Sequence, residues 1–121
     1  MSYKKLKIWQ LADALVIEIH HMTLKKLPGF ERYEEGSQIR RSIKSVKANI
    51  AEGYGRKNFP REFMHFLIFA HASLDETKDH LETLFKTKSL RDRACYDRLH
   101  GSIEMLGRML YSFMQSVRRD C

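Results

Sequence analysis

The chain has 121 residues, a formal net charge of +7 and 43% apolar residues. That length fits one core, so residues 1–121 are read as a single domain. A barrel of eight strand–helix units or a full dinucleotide-binding enzyme does not fit, and six Gly and two Pro are too few for a turn-rich sandwich or barrel. The longest run without a charged residue, Phe63 to Leu74, has twelve residues, short of the roughly 20 that a membrane span needs. Asp13 and Glu18 break up any apolar leader after the basic start. Cys95 and Cys121 make neither a disulfide framework nor a zinc set, and the chain is read as cytoplasmic and reduced.

Apolar residues recur at helical spacing between three punctuation marks: Leu27-Pro28-Gly29, Gly53 to Pro60, and Thr87 to Ser89. The first segment, about Lys5 to Leu27, carries Ile8, Leu11, Ala12, Leu15, Ile19 and Met22 on one face. The second, about Glu34 to Arg56, carries Ile39, Ile43, Val46 and Ile50. Glu34 and Glu35 stand at its start, where acids suit the positive end of the helix dipole. Gly53 and Gly55 are expected to end it through the left-handed conformation that glycine adopts readily.

The third segment begins near Pro60, a residue tolerated in a first helical turn, and runs to about Lys86. Its stripe is Phe63, Leu67, Ala70, Leu74, Leu81 and Phe85. The fourth begins near Ser89, where Ser89-Leu90-Arg91-Asp92 reads as a capping box. Its stripe is Leu99, Ile103, Leu106, Leu110, Phe113 and Val117. Four amphipathic helices with short links predict an all-α, antiparallel up-down-up-down four-helix bundle. The third helix has a surplus of apolar surface. Met64 and Ile68 project roughly 100–140° from its stripe, and Phe69 about 120° the other way. Surface of that kind marks contacts, here with other copies of the chain.

Glu18-x-x-His21 and Glu62-x-x-His65 have the spacing of di-iron carboxylate bundles, with Glu52 and Glu104 to complete a set. By helical count both histidines point away from the core, roughly 120° or more from their stripes, so neither a metal nor a cofactor is expected. Cys95 has no nucleophile partner pattern around it. Gly53-Tyr54-Gly55-Arg56-Lys57 lacks the strand that precedes a phosphate loop. No catalytic residue is assigned, and the chain is read as a non-enzyme.

Charge carries the strongest functional signal. From Ser37 to Lys57 there are six bases (Arg40, Arg41, Lys44, Lys47, Arg56, Lys57) against one acid, Glu52, a local +5. The stretch from Pro60 to Lys88 is −1. Arg40, Lys44 and Lys47 lie within an arc of roughly 60°. A basic strip on one helix is ordinarily a solvated face, but this concentration suits the phosphates of RNA or DNA. Trp9 and Tyr54 are flat enough to stack on bases, although packing near helix ends is the simpler role for both.

The stretches Leu6-Lys7-Ile8-Trp9-Gln10-Leu11-Ala12, Glu31-Arg32-Tyr33 and Ser37-Gln38-Ile39-Arg40-Arg41-Ser42 resemble the bacterial four-helix bundle proteins first noticed in intervening sequences of 23S ribosomal RNA genes. The most specific block of the resemblance is Ala48-Asn49-Ile50-Ala51-Glu52-Gly53-Tyr54-Gly55-Arg56. Glu62-Phe63, Phe66-Leu67, Ser73-Leu74 and Leu106-Gly107-Arg108-Met109-Leu110 extend it over nearly the whole chain. Lys47 departs from the pattern, standing where the family often has Pro. The resemblance implies a ring-shaped homopentamer and does not imply an enzyme. A more distant similarity is to the accessory variability determinant of diversity-generating retroelements, a pentameric bundle that partners a reverse transcriptase and binds nucleic acid. It supports an alternative reading of the chain as a protein-interaction scaffold. In the matched block Asn49, Glu52 and Arg56 look like site residues. Asn49 and Glu52 lie off the stripe at roughly 90° and 150°. They are read, with Met64, Ile68 and Phe69, as the oligomer interface.

Overall fold

The computed structural model describes residues 2–121. Its four long helices are α1 (Lys7–Lys25), α2 (Glu35–Tyr54), α3 (Pro60–Lys86) and α4 (Arg93–Arg118), with short 3₁₀ turns at Tyr3–Lys5 and Gly29–Tyr33. No strand occurs among the described residues, and no helix is long and apolar enough to cross a membrane.

Each helix buries most of its predicted stripe, while Leu11, Phe85 and Phe113 are only partly buried. Ile39, Ile43, Val46 and Ile50 of α2 are fully buried, as are Ala12 and Ile19 of α1, Leu67, Ala70 and Leu81 of α3, and Leu99, Leu106 and Leu110 of α4. At about 1.5–3 kcal/mol for each large side chain removed from water, these stripes are the main favourable contribution to the fold. Consecutive helices pack side by side, and α1 closes the square against α4 along its sparsest seam.

Polar bonds between neighbouring helices show that the packing is antiparallel. Between α1 and α2, Thr23 Oγ1 accepts from Arg40 and Asp13 accepts from Lys47. Between α2 and α3, Glu35 meets His80, Ser42 meets Thr77 and Ser45 meets Ser73. Between α3 and α4, Lys78 pairs with Glu104 and His100 with Glu82. Lys78 is raised above its ordinary pKa, and Glu104 lowered below its own, by the hydrogen bond they share.

The helix ends depart from expectation in three places. Ser89 does not cap α4. Asp92 does, accepting from the Cys95 N–H at 3.0 Å and from Lys26 Nζ at 2.8 Å. These bonds, Lys26 first, hold the Asp92 carboxyl below its ordinary pKa, and the same contact raises Lys26. Ser89 instead donates to the buried Glu31 carboxylate, whose other oxygen accepts the first N–H of α2, that of Glu35. Glu31 therefore joins the turn before α2 to the turn before α4.

Neither Gly53 nor Gly55 is left-handed, because no glycine has a positive φ. Gly53 is needed for space: a Cβ there would lie 3.0 Å from Phe66 Cβ and 3.1 Å from Phe63 Cδ1. The left-handed position belongs to Lys88, just beyond α3, with φ 66°.

Three side chains on α3 also differ from expectation. Leu84 is fully buried in place of Phe85, and Phe85 lies partly exposed, stacked on Tyr96 at 4.1 Å. Met64 is buried within its own chain at 8% exposure, so it is not an outward-facing interface residue. A long unbranched thioether folds back onto the core from an offset that a stiffer side chain could not bridge.

Candidate nucleic-acid interface

α2 presents four surfaces along its length. Its core face carries the isoleucines. One flank packs on α1, and the other on α3. Between the flanks an outer face runs through Arg41, Lys44, Ala48 and Gly55, all exposed. Those positions fall within an arc of roughly 60° at 100° per residue.

The six predicted phosphate-binding cations divide sharply in this geometry. Arg40 is an internal tie: its guanidinium donates to Thr23 Oγ1 and to the Arg32 carbonyl, each at 2.8 Å. Lys47 pairs with Asp13 at 2.9 Å, its ammonium 5.5 Å from the Trp9 ring centroid. Its backbone continues α2 without a break, so the non-proline residue here keeps the helix regular. Arg56 binds the Glu52 carboxylate and carbonyl, lies near Glu62 and covers the Phe66 ring at 4.5 Å. Lys57 rests on Tyr54, 4.6 Å from the ring centroid. Arg41 and Lys44 alone of the six make no side-chain hydrogen bond and no ion pair among the described residues; both point to solvent. Their two charges can meet an incoming phosphate without first giving up a partner inside the chain.

The predicted interface residues separate as well. Asn49 donates to the Ser45 carbonyl and Oγ on its own helix, beside the Ser45–Ser73 link to α3. Glu52 is exposed and held by Arg56. Ile68 and Phe69 stand on the outside of α3 at 47% and 46% exposure. Glu18, His21, Glu62 and His65 are all exposed, on the outside of the bundle.

One feature had no direct signal in the charge count. At the end where α1 begins and α2 finishes, a groove of about 1000 Å³ opens between the Tyr3–Lys5 turn, Trp9 and α2. Its α2 wall is low because Ala48, Ala51 and Gly55 carry almost no side chain. Their spacing of three and four was the available clue. Trp9 and Tyr54, expected to pack near helix ends, do pack against the core, and both also line this groove.

A basic bundle of four antiparallel helices, with its unpaired α2 cations on one outer face, is the class of protein that these observations define. The chain matches the family described as 23S rRNA-intervening sequence protein over residues 4–112 and belongs to that family. No curated protein is significantly similar to it. Among solved structures it is similar to a protein of unknown function from the S23 ribosomal protein family of Bacteroides thetaiotaomicron VPI-5482. The two are 21% identical with a TM-score of 0.79, over 88% of this chain and 97% of that one. At that identity the likeness shows the shared fold.

Proposed function

We propose that this protein is a non-enzymatic bundle that binds RNA or DNA through phosphates and works as an assembly of several copies. The observation that carries the reading is the exposed, unpartnered pair Arg41 and Lys44 within a segment of net +5. Such contacts neutralise phosphates and release counterions, which gives affinity without reading sequence. Binding of a structured RNA should therefore fall steeply between low and moderate salt, with little preference among sequences. Absence of binding at low salt refutes the reading.

The exposed Ile68 and Phe69 support self-association, and the family resemblance implies a homopentameric ring. In a ring the α2 strip repeats and its field adds. Light scattering on the purified chain should give a multiple of the 14.4 kDa protomer mass; a monomer mass rejects the assembly. The same apolar face favours a second reading, a scaffold that holds a protein partner such as a reverse transcriptase. Co-purification of a protein partner that survives nuclease treatment selects that reading, and its loss on nuclease treatment selects nucleic acid.

A further inference from the structure

The groove at the α1–α2 end brings aromatic and cationic side chains together. Its aromatic part is Tyr3 and Trp9, edge to face with ring centroids 5.3 Å apart, and Tyr54 across the groove. Its charged part is the exposed Lys4, with Lys47 paired to Asp13 and Arg56 paired to Glu52 along the wall. The small residues that form the α2 wall leave room for a flat ring beside the aromatics. A volume of about 1000 Å³ is ample for one nucleotide.

The groove is also continuous with the phosphate-binding face. Ala48 and Gly55 belong to the same outer arc of α2 as Arg41 and Lys44. With a rise of 1.5 Å per residue, Lys44 lies about 6 Å from Ala48 and about 16 Å from Gly55 along the helix axis. A few nucleotides of single strand cover that distance.

We propose that this groove receives an unpaired base of a nucleic-acid strand whose phosphates lie along Arg41 and Lys44. The inference rests on the phosphate-binding reading and adds the class of ligand: single-stranded or looped nucleic acid rather than duplex. An unpaired base offers two apolar faces that gain by leaving water for an aromatic surface. A base inside a duplex already has both faces covered. Stacking on a protein aromatic raises affinity by roughly one order of magnitude per base and tolerates any base, because each has a π face. Lys4, exposed at the edge of the groove, receives a phosphate beside the stacked base.

Trp9 is the only tryptophan, so its fluorescence reports this groove alone. The full chain is titrated at low salt with a labelled single-stranded oligothymidylate and with a labelled DNA duplex of equal phosphate number. Label anisotropy and Trp9 emission are read together. Both probes should bind, but only the single strand should quench Trp9, and it should bind about tenfold more tightly. The Ala48→Leu variant places an isobutyl group in the groove from an exposed helix position, so the fold stays intact by circular dichroism. It should abolish the quench and the tenfold preference, so that single strand and duplex bind alike. Equal affinity and equal quenching for the two probes, or a preference that survives Ala48→Leu, overturns the groove and leaves phosphate binding standing. Failure of both probes to bind overturns both readings together.

Discussion

Replacing Arg41 and Lys44 by Gln removes two charges from the outer face of α2 without cutting a bond inside the chain. Both side chains are exposed and unpartnered, and Gln is close to Arg and Lys in helix propensity. The double variant should melt within about 0.5 kcal/mol of the parent. Its binding should change in a specific way. Each phosphate neutralised adds about 0.7–0.9 to the slope of log affinity against log salt. Removing two cations lowers that slope by about 1.5, so a fourfold rise in salt costs the variant roughly eightfold less affinity than it costs the parent. Arg40→Ala is the informative contrast. It removes the bonds to Thr23 Oγ1, which keeps its own bond to the His20 carbonyl, and to the exposed Arg32 carbonyl, where water takes its place; this costs about 1 kcal/mol of stability and leaves the salt slope unchanged. The assays are fluorescence anisotropy with a structured RNA at four or more salt concentrations and thermal melting of the free proteins. An unchanged slope in the double variant, or a slope lowered by about 0.7–0.9 in Arg40→Ala, would refute the division of the cations.

Two glycines should respond oppositely to alanine in thermal melts. Gly101 has open space where a Cβ would go, so Gly101→Ala gains about 0.8–1 kcal/mol of helix propensity. At Gly36 a Cβ runs into the Glu31 carbonyl, a backbone atom that cannot swing away, and Gly36→Ala should cost more than about 2 kcal/mol. Lys88→Gly should stabilise by about 1 kcal/mol by relieving a left-handed non-glycine residue; a lower melting temperature would contradict this. For Asp92, the folded state holds the carboxyl below its ordinary 3.8, so its contribution is complete above that pH and is lost as pH falls through the depressed folded value. Asp92→Asn should therefore flatten the acid end of the stability–pH curve, and an unaltered acid limb argues against the Lys26–Asp92 contact.

The sequence made α3 legible to the residue, because Pro60 marks its first turn and Lys86 precedes the Thr87–Ser89 break. The phase of its stripe is harder to follow. Apolar residues alone lead from Leu74 to Leu81 and on to Phe85, but fully buried Thr77 carries the true seam through to Leu84. A search confined to hydrocarbon passes over a hydroxyl that is satisfied inside the core. The site shows the same limit in its charges. A charge count finds the basic segment, yet it treats Arg40 and Arg41 alike, whereas one is tied to Thr23 and the other faces water. The role of Ser89 is hidden because its partner, Glu31, is 58 residues away in the chain. Local capping rules do not see such a partner.

The Ser42–Thr77 and Ser45–Ser73 contacts bear on how the helices find one alignment. The α2 and α3 stripes are apolar along most of their length, and such surfaces can slide past each other by a heptad and still bury isoleucine against leucine. Ser42 and Thr77 lie 2.7 Å apart in the dry interior, and Ser45 and Ser73 lie 2.8 Å apart at its edge. In a slipped alignment each hydroxyl keeps an acceptor on its own helix, Ser42 on the Ile39 carbonyl and Thr77 on the Ser73 carbonyl, but the bond between them is lost, at a cost of about 1 kcal/mol. The pairs act as a key for register. They say little about how firmly α2 and α3 adhere, and much about which of several equally greasy alignments the chain accepts.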